Sequence, residues 1–248
     1  MLNLKVFDFV ILIPVFQDDD KIIPLKEQLD KFLYNKDYFI CFVDDSDSEK
    51  TSNIIKEKFK DNFFIIKRKK FENFSTRFSA SFEGFKWIID NVKSNYVVEI
   101  DADLSHHPKD ITKGINILKT DKFDLVIGSK YLANSVVRNR KLLRVIISKF
   151  MTMTCQILFD SRISDYTNTF RFYNYSLIKS FTNQKLLFKS PIGHLNNLLF
   201  IIKNKYLISE IPVEYIETNI NSTIKKSSLI RYFIEFLFCV LINKFKKK

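Results

Sequence analysis

The first half of the chain alternates short apolar runs with amphipathic periods, and this rhythm restricts the fold more than any other feature. Val6–Ile13 is a near-continuous apolar run, as in a strand covered on both faces. Residues 21–34 set Ile22, Leu25, Leu29 and Phe32 on one helical face. Tyr38–Val43 reads as a strand, 49–60 as a helix and Phe63–Ile66 as a strand. Residues 75–92 space Phe78, Phe82, Phe85, Ile89 and Val92 as an amphipathic helix does. Tyr96–Ile100 is the next strand. Pro108 opens a helix over 108–119, where its missing N–H costs nothing. Phe123–Ile127 follows as another strand. Strands alternating with helices predict an α/β fold, a mostly parallel sheet flanked by helices, with right-handed crossovers.

After residue 130 the rhythm changes. Residues 138–158 read as one long helix and Thr167–Tyr173 as extended chain. Helices are expected near 175–183 and 193–203, then a strand at Tyr206–Val213, a polar stretch Glu217–Ser228 and a helix Leu229–Phe245. The expected organisation is one domain over 1–228 and an amphipathic, basic C-terminal helix over 229–248.

Composition narrows the class. With 46% hydrophobic and 27% charged residues the chain is neither disordered nor a polytopic membrane protein. No stretch reaches the roughly 20 apolar residues of a spanning helix. The N-terminal run carries Asp8 and lacks a small-residue cleavage site, so it reads as a first strand rather than a signal peptide. Cys41, Cys155 and Cys239 show no pairing pattern, which points to a reducing compartment. Forty Lys and Arg against 28 Asp and Glu give a net charge of +12. Such a surface invites anions, although an evenly Lys-rich sequence also produces it as a solvated coat.

In a parallel α/β sheet, ligands bind outside the carboxyl ends of the strands. Strand one ends in Pro14-Val15-Phe16-Gln17-Asp18, strand two in Val43-Asp44-Asp45-Ser46 and strand four in Asp101-Ala102-Asp103. One acidic cluster is commonly a cap or a turn. Three on one edge of a basic protein mark a site. In Asp-x-Asp the middle residue turns away, so both carboxylates face the same way. Two hard oxygen ligands suit Mg²⁺ or Mn²⁺ bridging a diphosphate.

At these residues the chain resembles inverting glycosyltransferases of the GT-A fold, family 2, and among them the dolichyl/polyprenyl-phosphate mannosyltransferases. The run Asp101-Ala102-Asp103-Leu104-Ser105-His106-His107-Pro108 carries the likeness. Ile13-Pro14, Val43-Asp44-Asp45, Gly128-Ser129-Lys130-Tyr131, Phe170-Arg171-x-Tyr173 and Ile211-Pro212-Val213 support it in order. The resemblance implies that Pro14, Phe16 and Asp18 line a nucleotide pocket. It implies that Val43 and Asp45 hold base and ribose, and that Asp101, Ala102 and Asp103 hold the sugar nucleotide and a Mg²⁺ or Mn²⁺ ion. It places Lys130 between donor and acceptor phosphates, Lys225 at the donor, and Arg144 and Ser148 at the lipid phosphate. Catalysis is expected of Asp101, Asp103 and Lys130.

The sequence also departs from the family pattern. Val15, Phe16, Gln17 and Asp18 replace the usual Thr-Tyr-Asn-Glu, and residues 73–80 replace a glycine-containing loop. Thr169 replaces a glycine. In the late Arg-x-x-Gly-x-Ser-Lys motif Thr218 replaces Arg and Asn221 replaces Gly, with Lys225 and Lys226 out of register. His106 and His107 are read as loop-positioning residues, and His194 as structural.

The implied activity is inverting transfer of a sugar, mannose from GDP-mannose foremost, to a polyprenyl or dolichyl phosphate. Alternatives are another family 2 transferase with a different sugar nucleotide or a glycan acceptor, and a member that binds without transferring. Arg138, Arg140, Lys141, Arg144 and Lys149 beside the apolar face of helix 138–158, and the apolar terminal helix with its closing lysines, suit peripheral contact with an anionic membrane. Packing of those faces on the core is the alternative. The expected location is the cytoplasmic face of a membrane. A nucleic-acid partner is not expected, because the aromatic-basic strand pattern of RNA-binding modules is absent.

Overall fold

The computed structural model describes residues 5–68, 76–120, 122–218 and 226–245. The strands are β1 (Val6–Val15), β2 (Tyr38–Asp44), β3 (Phe63–Lys67), β4 (Lys93–Glu99), β5 (Leu125–Ser129), β6 (Val136–Arg138), β7 (Arg171–Asn174), β8 (Ile208–Pro212) and β9 (Glu214–Ile216). The helices are α1 (Ile22–Leu33), α2 (Lys50–Lys58), α3 (Arg77–Asn91), α4 (Lys109–Thr120), α5 (Leu142–Leu158), α6 (Tyr175–Thr182), α7 (Ile192–Lys203) and α8 (Lys226–Phe245).

Seven strands form the main sheet in the order β3-β2-β1-β4-β7-β5-β8. All neighbours are parallel except around β7, which pairs antiparallel with both β4 and β5. β1 lies inside the sheet between β2 and β4, and its alternate side chains feed two cores. Val10 and Leu12 point into one with Phe78, Phe85, Leu198 and Phe236. Ile11 and Ile13 point into the other with Leu25, Ile55 and Ile111. This is why β1 reads as a continuous apolar run rather than an alternating one.

Local chemistry sets the elements. Thr76 caps α3: its Oγ1 accepts from the Ser79 N–H at 3.2 Å while the Ser79 Oγ accepts from the Thr76 N–H at 3.0 Å. Gly84 lets α3 lie close on the sheet, since a Cβ there would run into Leu12 and Val43.

The second half departs from the sequence expectation. The single helix expected over 138–158 is a strand and a helix. Val136–Arg138 pairs with β9 in a two-stranded parallel sheet, Asn139 turns the chain at φ 58°, and α5 begins only at Leu142. Asparagine tolerates that left-handed turn. The extended stretch Thr167–Tyr173 becomes strand only from Arg171, because the Asp165 carboxylate accepts the N–H groups of Thr167 and Asn168, both at 3.0 Å, and holds a turn there. The strand expected over Tyr206–Val213 ends at Pro212, and β9 follows as a separate strand.

α8 starts at Lys226 and packs on α7, with Phe236, Cys239 and Val240 buried in the first core. Its outer side is apolar too: Ile230, Phe233, Ile234, Leu237, Phe238 and Leu241 are exposed. The helix thus has apolar side chains on both its packed and its outer sides.

Candidate active site

The carboxyl ends of β1, β2, β4 and β5 carry the expected residues to one edge of the sheet. At β1, Pro14 is buried and Phe16 exposed. Gln17 takes the left-handed conformation, φ 55°, and its N–H donates to Ser46 Oγ at 2.8 Å, which ties the ends of β1 and β2 together. Asp18 accepts the Phe16 N–H at 2.8 Å. Burial pushes its carboxyl up from 3.8 to about 6, against the pull of that hydrogen bond and with help from the charges of Asp103 and Asp101.

At β2, Val43 is fully buried. Asp44 is buried as well and accepts from the Ser46 N–H at 2.8 Å and from Lys67 Nζ at 2.9 Å. Asp45, expected at the base and ribose, is gripped by both arms of the Arg68 guanidinium, Nε to Oδ1 and Nη2 to Oδ2.

At β4, the Asp101 carboxylate accepts from Arg77 Nε, and Ala102 is buried against the second core. Asp103 Oδ1 accepts the Ser105 N–H at 2.9 Å, and its Oδ2 accepts from Thr218 Oγ1 at 2.9 Å. Thr218, which departs from the family's arginine, therefore still reaches the Asp-x-Asp pair. Lys225 lies outside the described residues, as do residues 73–75 of the altered loop.

At β5, Lys130 Nζ lies 2.9 Å from Asp165 Oδ2, with both side chains almost fully buried, and 5.5 Å from the centre of the Tyr215 ring. Burial pulls the ammonium pKa down, while the Asp165 charge opposes that shift. Asp165 also ends a chain of donors. Arg140 Nη1 donates to Tyr131 OH at 2.9 Å, which donates to Ser148 Oγ at 2.7 Å. Ser148 and Thr167 hydroxyls are 2.5 Å apart, and Thr167 donates to Asp165 Oδ1 at 2.9 Å. Because Thr167 spends its proton on the carboxylate, Ser148 is the donor between the two. Arg144 is drawn elsewhere, to Glu217 Oε1 at 2.9 Å. The expected Arg144–Ser148 pair shares one helix, but each side chain is bound to a different partner.

The histidines divide. His107 Nδ1 accepts the Lys109 N–H at 3.2 Å at the start of α4, as a loop-positioning residue would. His106 is instead buried between the Phe170 and Tyr215 rings, each 5.0 Å away. Burial, Lys130 and Arg77 all press its pKa down, so it is neutral. His194, read from sequence as a structural residue, packs against Arg77 beneath the site, its Nε2 lying 3.2 Å from Arg77 Nη1. Arg77, Glu99, Asp165 and Arg140 were not singled out as site residues from sequence. Two of them carry a sequence signal: Arg77 lies in the loop that departs from the family pattern, and Arg140 lies in the basic run before α5.

Asp18, Asp101 and Asp103 offer hard oxygen donors, and the repulsion that helps raise Asp18 is what a divalent cation would relieve. The donor set fits Mg²⁺ or Mn²⁺. Among the described residues, no three acidic, His or Cys side chains already close around a common point.

A dolichol-phosphate mannosyltransferase of Pyrococcus furiosus is 28% identical over 225 residues, 90% of this chain and 60% of its own length. A polyprenol monophosphomannose synthase of Mycolicibacterium smegmatis is 26% identical over 155 residues, 62% of this chain and 57% of its own. The chain thus spans about 60% of the length of these curated relatives. The crystal structure of glucosyl-3-phosphoglycerate synthase from Mycobacterium tuberculosis, in complex with Mn²⁺, UDP and glucosyl-3-phosphoglycerate, superimposes with a TM-score of 0.69 at 12% identity, covering 96% of this chain and 80% of that one. The same enzyme with Mg²⁺ and UDP gives 0.68 at 10% identity, over 96% and 79%. These structures share the GT-A fold with this chain. Residues 10–182 match the model of glycosyl transferase family 2, and the chain belongs to that family.

Proposed function

We propose that the chain transfers a sugar, mannose from GDP-mannose foremost, from a nucleotide-sugar donor to a polyprenyl or dolichyl phosphate, with inversion, at a membrane surface. The observation that carries this reading is that Asp18, Asp101 and Asp103 lie close enough at one sheet edge to feel one another's charge, with the Lys130 ammonium near enough to act on Asp101. The names of the two curated relatives support the acceptor class.

The residues divide the work. Phe16 and Asp45, with the backbone at Pro14 and Val43, line the nucleotide side, and Asp101 and Asp103, with the backbone of Ala102 between them, face the diphosphate. A bound divalent cation would be held by Asp103 with Asp18 or Asp101, and it supplies neutralisation of the diphosphate charge. Lys130 stands between donor and acceptor phosphates. Arg144 and Ser148, with Arg140 and Tyr131 beside them, orient the acceptor phosphate. That phosphate is ionised near neutral pH, its second pKa being about 6. It attacks without a general base, and the protein's task is alignment and charge stabilisation.

The surface beside this edge suits a lipid-borne acceptor. α5 exposes Leu142, Leu143, Ile146, Phe150, Met153 and Ile157. The Phe150 ring lies 6.3 Å from that of Phe233 on α8, so the two apolar faces adjoin. Apolar area on that scale, next to basic residues, fits peripheral contact with an anionic membrane. No helix among the described residues is long and apolar enough to cross one. We place the protein on the cytoplasmic face. The test is transfer of radiolabelled sugar from GDP- and UDP-sugars to polyprenyl phosphate in vesicles. Labelled lipid formed from GDP-mannose supports the reading. Transfer from a UDP-sugar alone, or to a glycan alone, favours a different donor or acceptor, and donor binding without transfer a non-catalytic member.

A further inference from the structure

Arg77 is the first residue of α3, directly after its cap, and its side chain reaches across the end of the sheet to two acids. Nε donates to Asp101, and Nη1 lies 3.2 Å from Glu99 Oε1. Nη1 is also 3.2 Å from His194 Nε2. An arginine only donates, so Nε2 of His194 is an acceptor and its proton sits on Nδ1. His194 is therefore neutral, as its burial and the nearby charges of Arg77 and Arg171 also require. Glu99 is fully buried, and it also meets the Ser81 hydroxyl at 2.6 Å, the Tyr173 hydroxyl at 3.2 Å and His194 Nδ1 at 3.7 Å.

The guanidinium is thus pinned from below by a buried carboxylate and a neutral imidazole, and it presents Nε to the first acid of the Asp-x-Asp pair. Among the described residues, the buried Nη2 has no hydrogen-bond partner. A carboxylate engaged by a guanidinium has given up much of its attraction for a second cation.

We infer that Arg77 is a built-in counter-cation for Asp101, which a divalent ion must compete with, so that the site binds the ion weakly until the donor diphosphate arrives. This rests on the reading of Asp101 and Asp103 as the diphosphate site. Arg77 is a positioning residue. It sets how much negative charge Asp101 offers, and it couples that charge to Glu99 in the core.

The test is Mn²⁺ binding by the full chain, followed by electron paramagnetic resonance of the free ion, without nucleotide. Arg77→Gln frees Asp101 but leaves Glu99 buried without its cation, so Arg77→Gln/Glu99→Gln is measured beside it. That double variant removes both charges together, and its fold is checked by circular dichroism and thermal melting. It should bind Mn²⁺ at least about tenfold more tightly than the wild type, since a neighbouring opposite charge commonly shifts a carboxylate's proton affinity by one to three pKa units. Adding Asp101→Asn should return the affinity to the wild-type level. Arg77→Lys keeps one charge and should stay close to the wild type.

A folded double variant that binds Mn²⁺ no more tightly than the wild type overturns the inference. So does a gain in affinity that survives Asp101→Asn. Wild-type binding of Mn²⁺ with GDP or UDP present is the separate control. If the ion is bound there while the double variant shows no gain, only the role of Arg77 falls. If no variant binds the ion with or without nucleotide, the diphosphate-and-metal reading of the pair falls with it.

Discussion

The Lys130 ammonium and the Asp165 carboxylate stand 2.9 Å apart with both side chains almost fully buried. A buried pair of this kind is costly to break from one side, because the remaining charge has no solvent. Asp165→Asn should destabilise the protein by about 3–5 kcal/mol. Lys130→Met/Asp165→Asn should recover most of that loss, measured by urea unfolding. The same double variant should stay inactive in the transfer assay. Recovery of transfer together with stability would remove Lys130 from the catalytic set.

Asp103→Asn keeps the size of the side chain and one acceptor for the Ser105 N–H. It removes the charge that we propose faces the diphosphate. Transfer should fall at least about a hundredfold, the scale of losing a preorganised electrostatic contact, with the melting temperature little changed. Full activity of this variant in the presence of a chelator would show that the diphosphate binds elsewhere.

Asp18 gives the site a pH dependence with a definite sign. Its carboxyl is raised to about 6 in the folded protein, so between about pH 4 and 6 the folded state holds a proton that the unfolded state has lost. The contribution of this group to stability is therefore present at low pH and declines as pH rises through that window. Asp18→Asn should flatten that slope in denaturation curves. Over the same window, Mn²⁺ affinity should rise as Asp18 ionises, and the variant should lose this rise. An unchanged profile in the variant would assign the titration to another group.

Arg144→Lys keeps the charge and loses the fork that a phosphate can accept bidentately. KM for polyprenyl phosphate should rise about tenfold while KM for the sugar nucleotide stays put. Equal changes for both substrates would mean that Arg144 acts only by holding Glu217, its partner at 2.9 Å.

The outer faces of α5 and α8 should carry membrane contact. Leu143→Glu and Phe233→Glu replace exposed side chains, so stability should change by less than about 0.5 kcal/mol. Sedimentation with phosphatidylglycerol vesicles should drop, and transfer to a short water-soluble prenyl phosphate should be retained. Undiminished vesicle binding by the double variant would place the contact on another surface.

The sequence by itself determined the sheet-and-helix rhythm of residues 6–120, because β1, β2 and the second half of β4 are buried on both faces and each helix chiefly on one, and burial writes itself into the spacing of apolar residues. It also determined that acids gather at the carboxyl ends of β1, β2 and β4, since strand order along the chain fixes which ends share an edge. Tertiary structure decided the pairings. Asp165 meets Lys130, Arg77 meets Asp101, Glu217 meets Arg144, and each pair joins residues far apart in sequence with no periodic signature. Tertiary structure also decided the course of 136–142. There three exposed residues become a strand because β9 lies alongside them, a contact that outweighs the helical pattern running into α5.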